Sequence, residues 1–226
     1  MSKTSIPYEI AGIPFKSKSE LLARLKYMLN NDIADYDFLL DFIRKCHPDA
    51  EIKIGCGVKR FFIKQNWQEN GYGTLGFQIE RMDGTTTDFS YIKALNHPSP
   101  WQEYCKACRL AVEEDILSFK MKSLLSGVNY CPYTGERLFK DCHVDHKAPK
   151  TFLRLLDKYI DECAVDWKSQ KIKPTEDNNS RTEFINPEHS EQFRKWHNVN
   201  AELRLLSIIG NLSHAKKEAK CFTGQT

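Results

Sequence analysis

Apolar positions in residues 1–98 alternate between helical and strand-like spacing. Leu21, Leu25 and Met28 recur at helical spacing directly after a Ser17-x-x-Glu20 capping box, which predicts a first helix. A second helix is predicted over residues 36–46 and ends before a His-Pro pair. Runs rich in β-branched and aromatic residues predict strands at residues 59–64, 75–81 and 86–91, and a short strand or hairpin at residues 8–15. Helices followed by antiparallel strands indicate a small α+β domain.

The stretch Asn96-His-Pro-Ser-Pro100 interrupts regular structure and marks the end of this domain. Apolar residues then recur at helical spacing as far as Leu125, which predicts one linking helix that ends at Gly127. Further helices are predicted over residues 151–160 and 187–201, with a polar surface loop at residues 171–180. We therefore expect an α+β chain with an accessory domain (1–98), a linking helix (99–127) and a C-terminal domain with a helical insertion (128–226).

The C-terminal domain begins and ends with elements that together predict a β-β-α finger. Residues 131–135 are typical of a turn, and the residues up to His146 of the end of a short strand. Residues 203–209 predict a second strand, and residues 211–220 predict a helix. The helical insertion, residues 148–199, separates the two strands in sequence.

Composition narrows the class of protein. Hydrophobic residues make up 41% of the chain and aromatic residues 12%, which is ordinary for a globular protein. The sequence has no apolar run long enough for a membrane span and no secretory signal at its start, so we expect a cytoplasmic protein without a membrane partner. The eight scattered cysteines are expected to be reduced thiols. The net charge is only +3, so nucleic acid would have to contact a local basic patch.

Three residues of the finger have side chains suited to metal-assisted hydrolysis. Asp145 at the strand end and Asn211 at the helix start can each give an oxygen to a hard divalent cation that keeps several waters. His146 is the candidate general base, because the pKa of an imidazole suits proton transfer near neutral pH. A structural alternative for Asn211 is a helix N-cap.

Neighbouring residues have less specific signals. His143 lies two residues before Asp145 on the same strand face, where a core or supporting role is favoured over a metal or phosphate ligand. His214 fits a metal or phosphate ligand as well as a bystander role. Lys216 and Lys217 can contact phosphate oxygens, although a solvated helix face explains them too. His189 and His197 are expected to be structural.

The cysteines do not favour a structural zinc site, which needs four nitrogen or sulfur ligands. Cys105-x-x-Cys108 has no second Cys-x-x-Cys pair, and both residues are expected on the buried face of a helix. Cys131 precedes the finger, but Ser207 stands where a second pair would begin.

The ordered set Asp145-His146-Lys-Ala-Pro, followed by Leu-Leu-Ser and later Asn211-Leu-Ser-His-Ala-Lys, resembles the HNH (ββα-metal) endonuclease family. The resemblance implies that Asp145 and Asn211 bind one divalent metal, usually magnesium with manganese as a substitute, while His146 activates water against a phosphodiester. It further implies that Asn200 buttresses the loop that holds the base. It covers roughly the last hundred residues.

Residues of the accessory domain resemble the DCL-like (defective chloroplasts and leaves) domain. The similarity rests on Ile13-Pro-Phe-Lys-Ser-Lys18, His47-Pro48, Gly55 and Gly57, and Arg81-Met-Asp-Gly84 through Asp88-Phe-Ser-Tyr91. It implies an accessory module linked to RNA or DNA metabolism.

Together these patterns predict a metal-dependent endonuclease that acts on DNA, in a role such as restriction or phage defence. Two alternatives stay open: a non-catalytic nucleic-acid-binding module that keeps the fold as a clamp, and a nuclease that acts on RNA. Coordinated cutting of both strands would require a homodimer, whereas one finger per chain suits nicking equally well.

Overall fold

The computed structural model describes residues 8–67, 73–174, 176–177 and 181–215, with the side chains of 66, 67, 214 and 215 left out. The fold is mixed α+β, with small antiparallel sheets. The chain forms two compact units. The first unit comprises Met1–Pro98 and Thr175–Ser180, and the second comprises Ser99–Pro174 and Arg181–Thr226. No described helix has the length and apolar character needed to cross a bilayer.

The first unit packs helices against a three-stranded antiparallel sheet and a two-stranded hairpin. Ser17 caps the first helix by accepting a hydrogen bond from the Glu20 amide, as the capping box predicts. The core is formed by apolar residues of both layers, among them Leu21, Phe42 and Phe77. Its elements, in chain order, are β1 (Tyr8–Ile10), β2 (Ile13–Phe15), α1 (Lys18–Asn30), α2 (Tyr36–Cys46), α3 (Ala50–Ile54), β3 (Val58–Trp67), β4 (Gly73–Arg81), β5 (Thr86–Phe89) and α4 (Tyr91–Leu95).

Two short helices of the first unit, α3 and α4, are absent from the sequence prediction. Strand β5 stops at Phe89, before the predicted end at residue 91, because the Ser90 side chain accepts from the Lys93 amide and starts α4. The other predicted strands and helices of this unit are confirmed in place, and α2 has the predicted bounds.

The second unit consists mainly of helices around an aromatic core. Helices α5 and α7 both pack against α8, and Tyr104, Tyr159 and Phe193 are fully buried between them. A smaller core lies beneath the only strand pair described in this unit and contains Cys131, Cys142 and Leu206. Its elements are α5 (Pro100–Ala111), α6 (Glu113–Leu125), β6 (His143–His146), α7 (Phe152–Glu162), a short 3-10 helix (Trp167–Ser169), α8 (Pro187–Asn200), β7 (Leu203–Leu206) and α9 (Ile208–Gly210), followed by a wide π turn (Asn211–Ala215).

The prediction of one continuous linking helix is wrong. The helix breaks at Val112, which leaves helical geometry with φ −107° and ψ 1°. Helix α6 then starts with three acidic residues in its first turn, which the helix dipole favours at an N-terminus. Of these, Asp115 forms an ion pair with Arg194 of α8, so α6 is held by its own contact.

Candidate functional site

Strands β6 and β7 form the antiparallel pair that the finger prediction requires. Their register sets Asp145 opposite Arg204 and His146 opposite Leu203. Because successive side chains of a strand point to opposite faces, His143 and Asp145 share one face while His146 points to the other. Asp145, the candidate metal ligand, and His146, the candidate base, therefore lie on opposite faces of β6.

Asp145 is held by the residue opposite it. The Arg204 guanidinium donates from Nε at 2.9 Å and lies within 2.8 Å through Nη2, and both contacts fall on Oδ2. Both side chains are mostly buried, with 20% and 16% of their surfaces exposed. The guanidinium also lies over the ring of Tyr133, 4.9 Å from its centroid. The Oδ1 oxygen of Asp145 is outside this ion pair, so it is the oxygen suited to a further ligand.

Asn211 reaches the same strand face. Its amide nitrogen lies 2.8 Å from Nδ1 of His143, two residues before Asp145. An amide nitrogen can only donate, so this imidazole nitrogen is the acceptor and the Asn211 oxygen points elsewhere. His143 thus contacts a predicted metal ligand and does not stand apart from the site.

The N-cap interpretation of Asn211 is wrong, as is the predicted length of the second strand. Strand β7 ends at Leu206, and Ser207 caps the next turn by accepting from the Gly210 amide at 3.1 Å. Asn211 is already helical, with φ −65° and ψ −44°. The chain turns helical earlier than predicted because Ser207 is a favourable cap.

His146 lies on the opposite face, against the helical core. Its Nε2 atom lies 2.8 Å from Nε2 of His197 on α8, and its ring meets the Phe152 ring edge to face at 5.5 Å. Burial, aided by the nearby His197 and Arg109, lowers the pKa of His146 to about 4. The imidazole is therefore neutral at pH 7, and the tautomer of the His146–His197 pair decides whether its Nδ1 lone pair is free to take a proton.

His197 supports this imidazole from within the core. Only 1% of its surface is exposed, and burial lowers its pKa. Its Nδ1 atom is buried and has no hydrogen-bond partner among the described residues. The sequence prediction treats His197 as structural only and assigns the supporting role to Asn200, whose amide instead donates to the Trp196 carbonyl of its own helix at 2.9 Å.

The turn at residues 131–135 meets the start of α9 at four residues, Cys131, Thr134, Ser207 and Gly210. The Thr134 and Ser207 hydroxyl oxygens lie 3.1 Å apart, and a Cβ on Gly210 would come within 2.6 Å of the Cys131 sulfur. Burial acts to raise the pKa of the Cys131 thiol, but hydrogen bonds from Ser207 and Thr134 lower it overall. Hydrogen bonds and close packing thus join the turn to the start of α9.

The other candidate metal-binding residues do not form a cluster in the part of the chain that the structure describes. Cys108 is buried on α5, where burial raises its pKa to about 12. Where side chains are described, no three His, Cys, Asp or Glu converge as a metal cluster would require. The side chain of His214, and Lys216 and Lys217 entirely, lie outside the described residues.

Two arginines of the site are not predicted from the sequence. Arg204 could have been found from the register, since it is the residue that faces Asp145 once the strands are paired. Arg109 lies over the Phe152 ring at 4.4 Å and acts on His146 through its charge. No local sequence signal links Arg109 to His146, because α5 and β6 meet only in the folded unit.

The match to a protein-family model falls in the first unit. Residues 19–95 match a family model described as a protein of unknown function, DUF3223. The solution structure of an uncharacterized protein from Rhodospirillum rubrum is similar at 38% identity, over 42% of this chain and 92% of that one, with a TM-score of 0.35. No curated protein matches the chain. The candidate site lies in the second unit, outside residues 19–95 of the family match.

Proposed function

We propose that the second unit is a divalent-metal-dependent endonuclease of the HNH (ββα-metal) type that hydrolyses phosphodiester bonds in DNA. The observation that carries this proposal is the contact of Asn211 with His143 at 2.8 Å. It brings the start of the last helical segment against the strand face that bears Asp145. An antiparallel strand pair followed by a helical turn is the arrangement that the β-β-α finger needs.

The side chains present fit a hard divalent cation. Asp145 offers Oδ1, since its Arg204 contacts fall on Oδ2, and Asn211 offers its amide oxygen, since its nitrogen faces His143. Two protein oxygens suffice for magnesium, which keeps several waters and binds substrate phosphate oxygens. When bound, such a cation would neutralise charge on the scissile phosphate and stabilise the leaving oxygen.

His146 is the proposed base. Its imidazole is neutral at pH 7 and can take a proton from the attacking water. Since its Nε2 atom faces His197 at 2.8 Å, the proton must be accepted at Nδ1. This requires His146 to donate its Nε2 proton to His197, and His197 then carries its own proton on the buried Nδ1.

The opposite tautomer has a different consequence. If His197 donates, His146 carries a proton on Nδ1 and both of its nitrogens are engaged, so it cannot act as a base. Buried N–H groups without partners are rarer in proteins than buried acceptors without partners. The histidine pair, together with the Asp145–Arg204 ion pair, is thus the specific observation in favour of the alternative, a non-catalytic nucleic-acid-binding module.

Parallel digestion separates the candidates. Labelled DNA and RNA of one sequence are incubated with the full chain in magnesium, manganese or chelator. We expect metal-dependent cleavage of DNA that stops in chelator. Cleavage of RNA alone would support the RNA-directed alternative. Binding in a gel shift, without cleavage of the DNA or the RNA in any metal, would support the binding module.

A further inference from the structure

Two buried cations of the first unit point at a common position. Lys53 is 9% exposed and Arg81 is 7% exposed, and Thr87 beside them is 2% exposed. The Lys53 ammonium donates to the Thr87 hydroxyl at 2.9 Å. Lysine and arginine are almost never this deeply buried unless an anion pairs with them.

The Arg81 guanidinium is fixed by the backbone before any anion is considered. It donates from Nε to the Lys53 carbonyl at 3.2 Å and from Nη2 to the Ile52 carbonyl at 3.0 Å. Gly55 makes room for it, since a Cβ there would lie 2.9 Å from Nε of Arg81. Gly55 also has φ +54°, a conformation that glycine adopts without strain. The cationic group is therefore preorganised.

The anion that meets these cations is Asp177, from the Thr175–Ser180 segment of the same unit. Its Oδ1 accepts from Thr87 at 2.7 Å and from Lys53 at 3.2 Å, while Oδ2 accepts from Arg81. Among the ion pairs of the described residues, Lys53 and Arg81 each pair with Asp177 alone. The Asp177 side chain is 26% exposed, so the anionic position opens to solvent.

The chemistry of this position suits a phosphate group. One guanidinium, one ammonium and one hydroxyl donate to two oxygens on a single atom, and a phosphodiester presents two non-bridging oxygens in the same way. Burial acts to raise the pKa of Asp177, but hydrogen bonds from Thr87, Arg81 and Lys53 lower it overall, so the carboxylate is charged at pH 7. A carboxylate is the weaker match, because it has no further oxygens for the solvent side.

We propose that Lys53, Arg81 and Thr87 form a binding site for a backbone phosphate of nucleic acid, and that Asp177 occupies this site as an internal competitor. The choice of nucleic acid as the source of the phosphate rests on the proposed function, while the site itself does not. Nucleic acid must displace a tethered carboxylate, so the free protein holds its accessory unit in a self-inhibited state.

The test measures binding by the full chain in chelator, where no cleavage can occur. A fluorescein-labelled DNA duplex is titrated by anisotropy against wild type, Asp177→Asn and Asp177→Asn/Lys53→Gln. The control is Glu183→Gln, which removes one negative charge from a carboxylate that is paired with Lys173. We expect Asp177→Asn to bind about tenfold tighter, because an intramolecular competitor acts at an effective concentration in the millimolar range.

The salt dependence of binding distinguishes a new phosphate contact from a change in net charge. Asp177→Asn should steepen the slope of log K against log salt by about 0.9, the contribution of one phosphate contact on duplex DNA. Glu183→Gln should leave the slope unchanged, and adding Lys53→Gln should return Asp177→Asn to the wild-type affinity. If Asp177→Asn and Glu183→Gln bind alike, Asp177 is only a structural ion pair and the proposal fails.

A second readout decides the matter if Asp177→Asn is too unstable for titration. The duplex should raise the melting temperature of Asp177→Asn more than that of wild type, because the neutral amide of the variant competes less with a phosphate than the carboxylate does. Equal shifts would overturn the proposal. Since every measurement is made without metal, an inactive second unit would not affect the outcome, and an active one would not rescue it.

Discussion

A methyl group added at Gly210 tests the packing that joins the predicted turn to the finger. The Cβ of an alanine there would lie 2.6 Å from the Cys131 sulfur and 3.1 Å from the Ser207 hydroxyl oxygen. Nonbonded heavy atoms attract best at about 3.5–4.0 Å, so the neighbours would have to move. Cys131 is 2% exposed and is held by the surrounding chain, which limits that movement.

The sign of the effect of Gly210→Ala follows from two opposed contributions. Glycine to alanine in a helix usually stabilises by about 0.5–1 kcal/mol, whereas overpacking a buried site costs about 1–3 kcal/mol. We expect a net loss of about 1–2 kcal/mol. Cys131→Ala removes the obstructing sulfur, so the double variant should be more stable than the sum of the two single effects by about 0.5–3 kcal/mol.

Urea denaturation followed by tryptophan fluorescence measures this cycle. Trp101, Trp167 and Trp196 lie in the second unit and Trp67 in the first, so the signal reports mainly on the unit that carries Gly210. Strictly additive single effects would show that Gly210 and Cys131 do not approach each other, and the described geometry of the turn would be wrong.

Two further predictions concern charge. Burial lowers the pKa of His47 and of His146 from 6.5 to about 4, so between these pH values the unfolded chain binds protons that the folded chain does not. The free energy of unfolding from urea titrations should be highest above pH 6.5 and fall towards pH 4, by about 1–3 kcal/mol for each histidine, and a flat profile would contradict the burial of these rings. Replacing Arg204 by glutamine removes a positive charge that partly neutralises Asp145; calorimetric titration with manganese should show several-fold tighter binding, and unchanged affinity would contradict Asp145 as a ligand.

Local signals were sufficient for most elements of the fold. The Ser17 cap and the apolar spacing of α1 and α2 lie within a few residues of one another, so the sequence alone predicts them. The break at Val112 could not be predicted, since no glycine or proline marks it and the Asp115–Arg194 pair that holds α6 joins residues far apart in sequence. A contact between residues far apart in sequence has no local pattern.

In the candidate site too, local signals predict some residues, whereas contacts between distant parts of the chain have no such signal. Asp145, His146 and Asn211 could be selected because their types and order suit metal-assisted hydrolysis. Their partners could not, because Arg204 faces Asp145 only through the strand register and His197 meets His146 only through the packing of α8. Residue types and their order therefore predict which side chains carry chemistry, while the fold determines which atoms of those side chains are available.

The proposal that His146 is the base of a metal-dependent nuclease is best tested by cleavage of supercoiled plasmid, with wild type and His146→Ala compared at equal protein concentration in magnesium. The matched control is His189→Gln, which alters another buried histidine of the second unit, one that contacts the Tyr104 hydroxyl. We expect wild type and the control to nick or linearise the plasmid, and His146→Ala to be slower by about 10²–10⁴-fold. Cleavage by His146→Ala at the wild-type rate would contradict the assignment of His146 as the base.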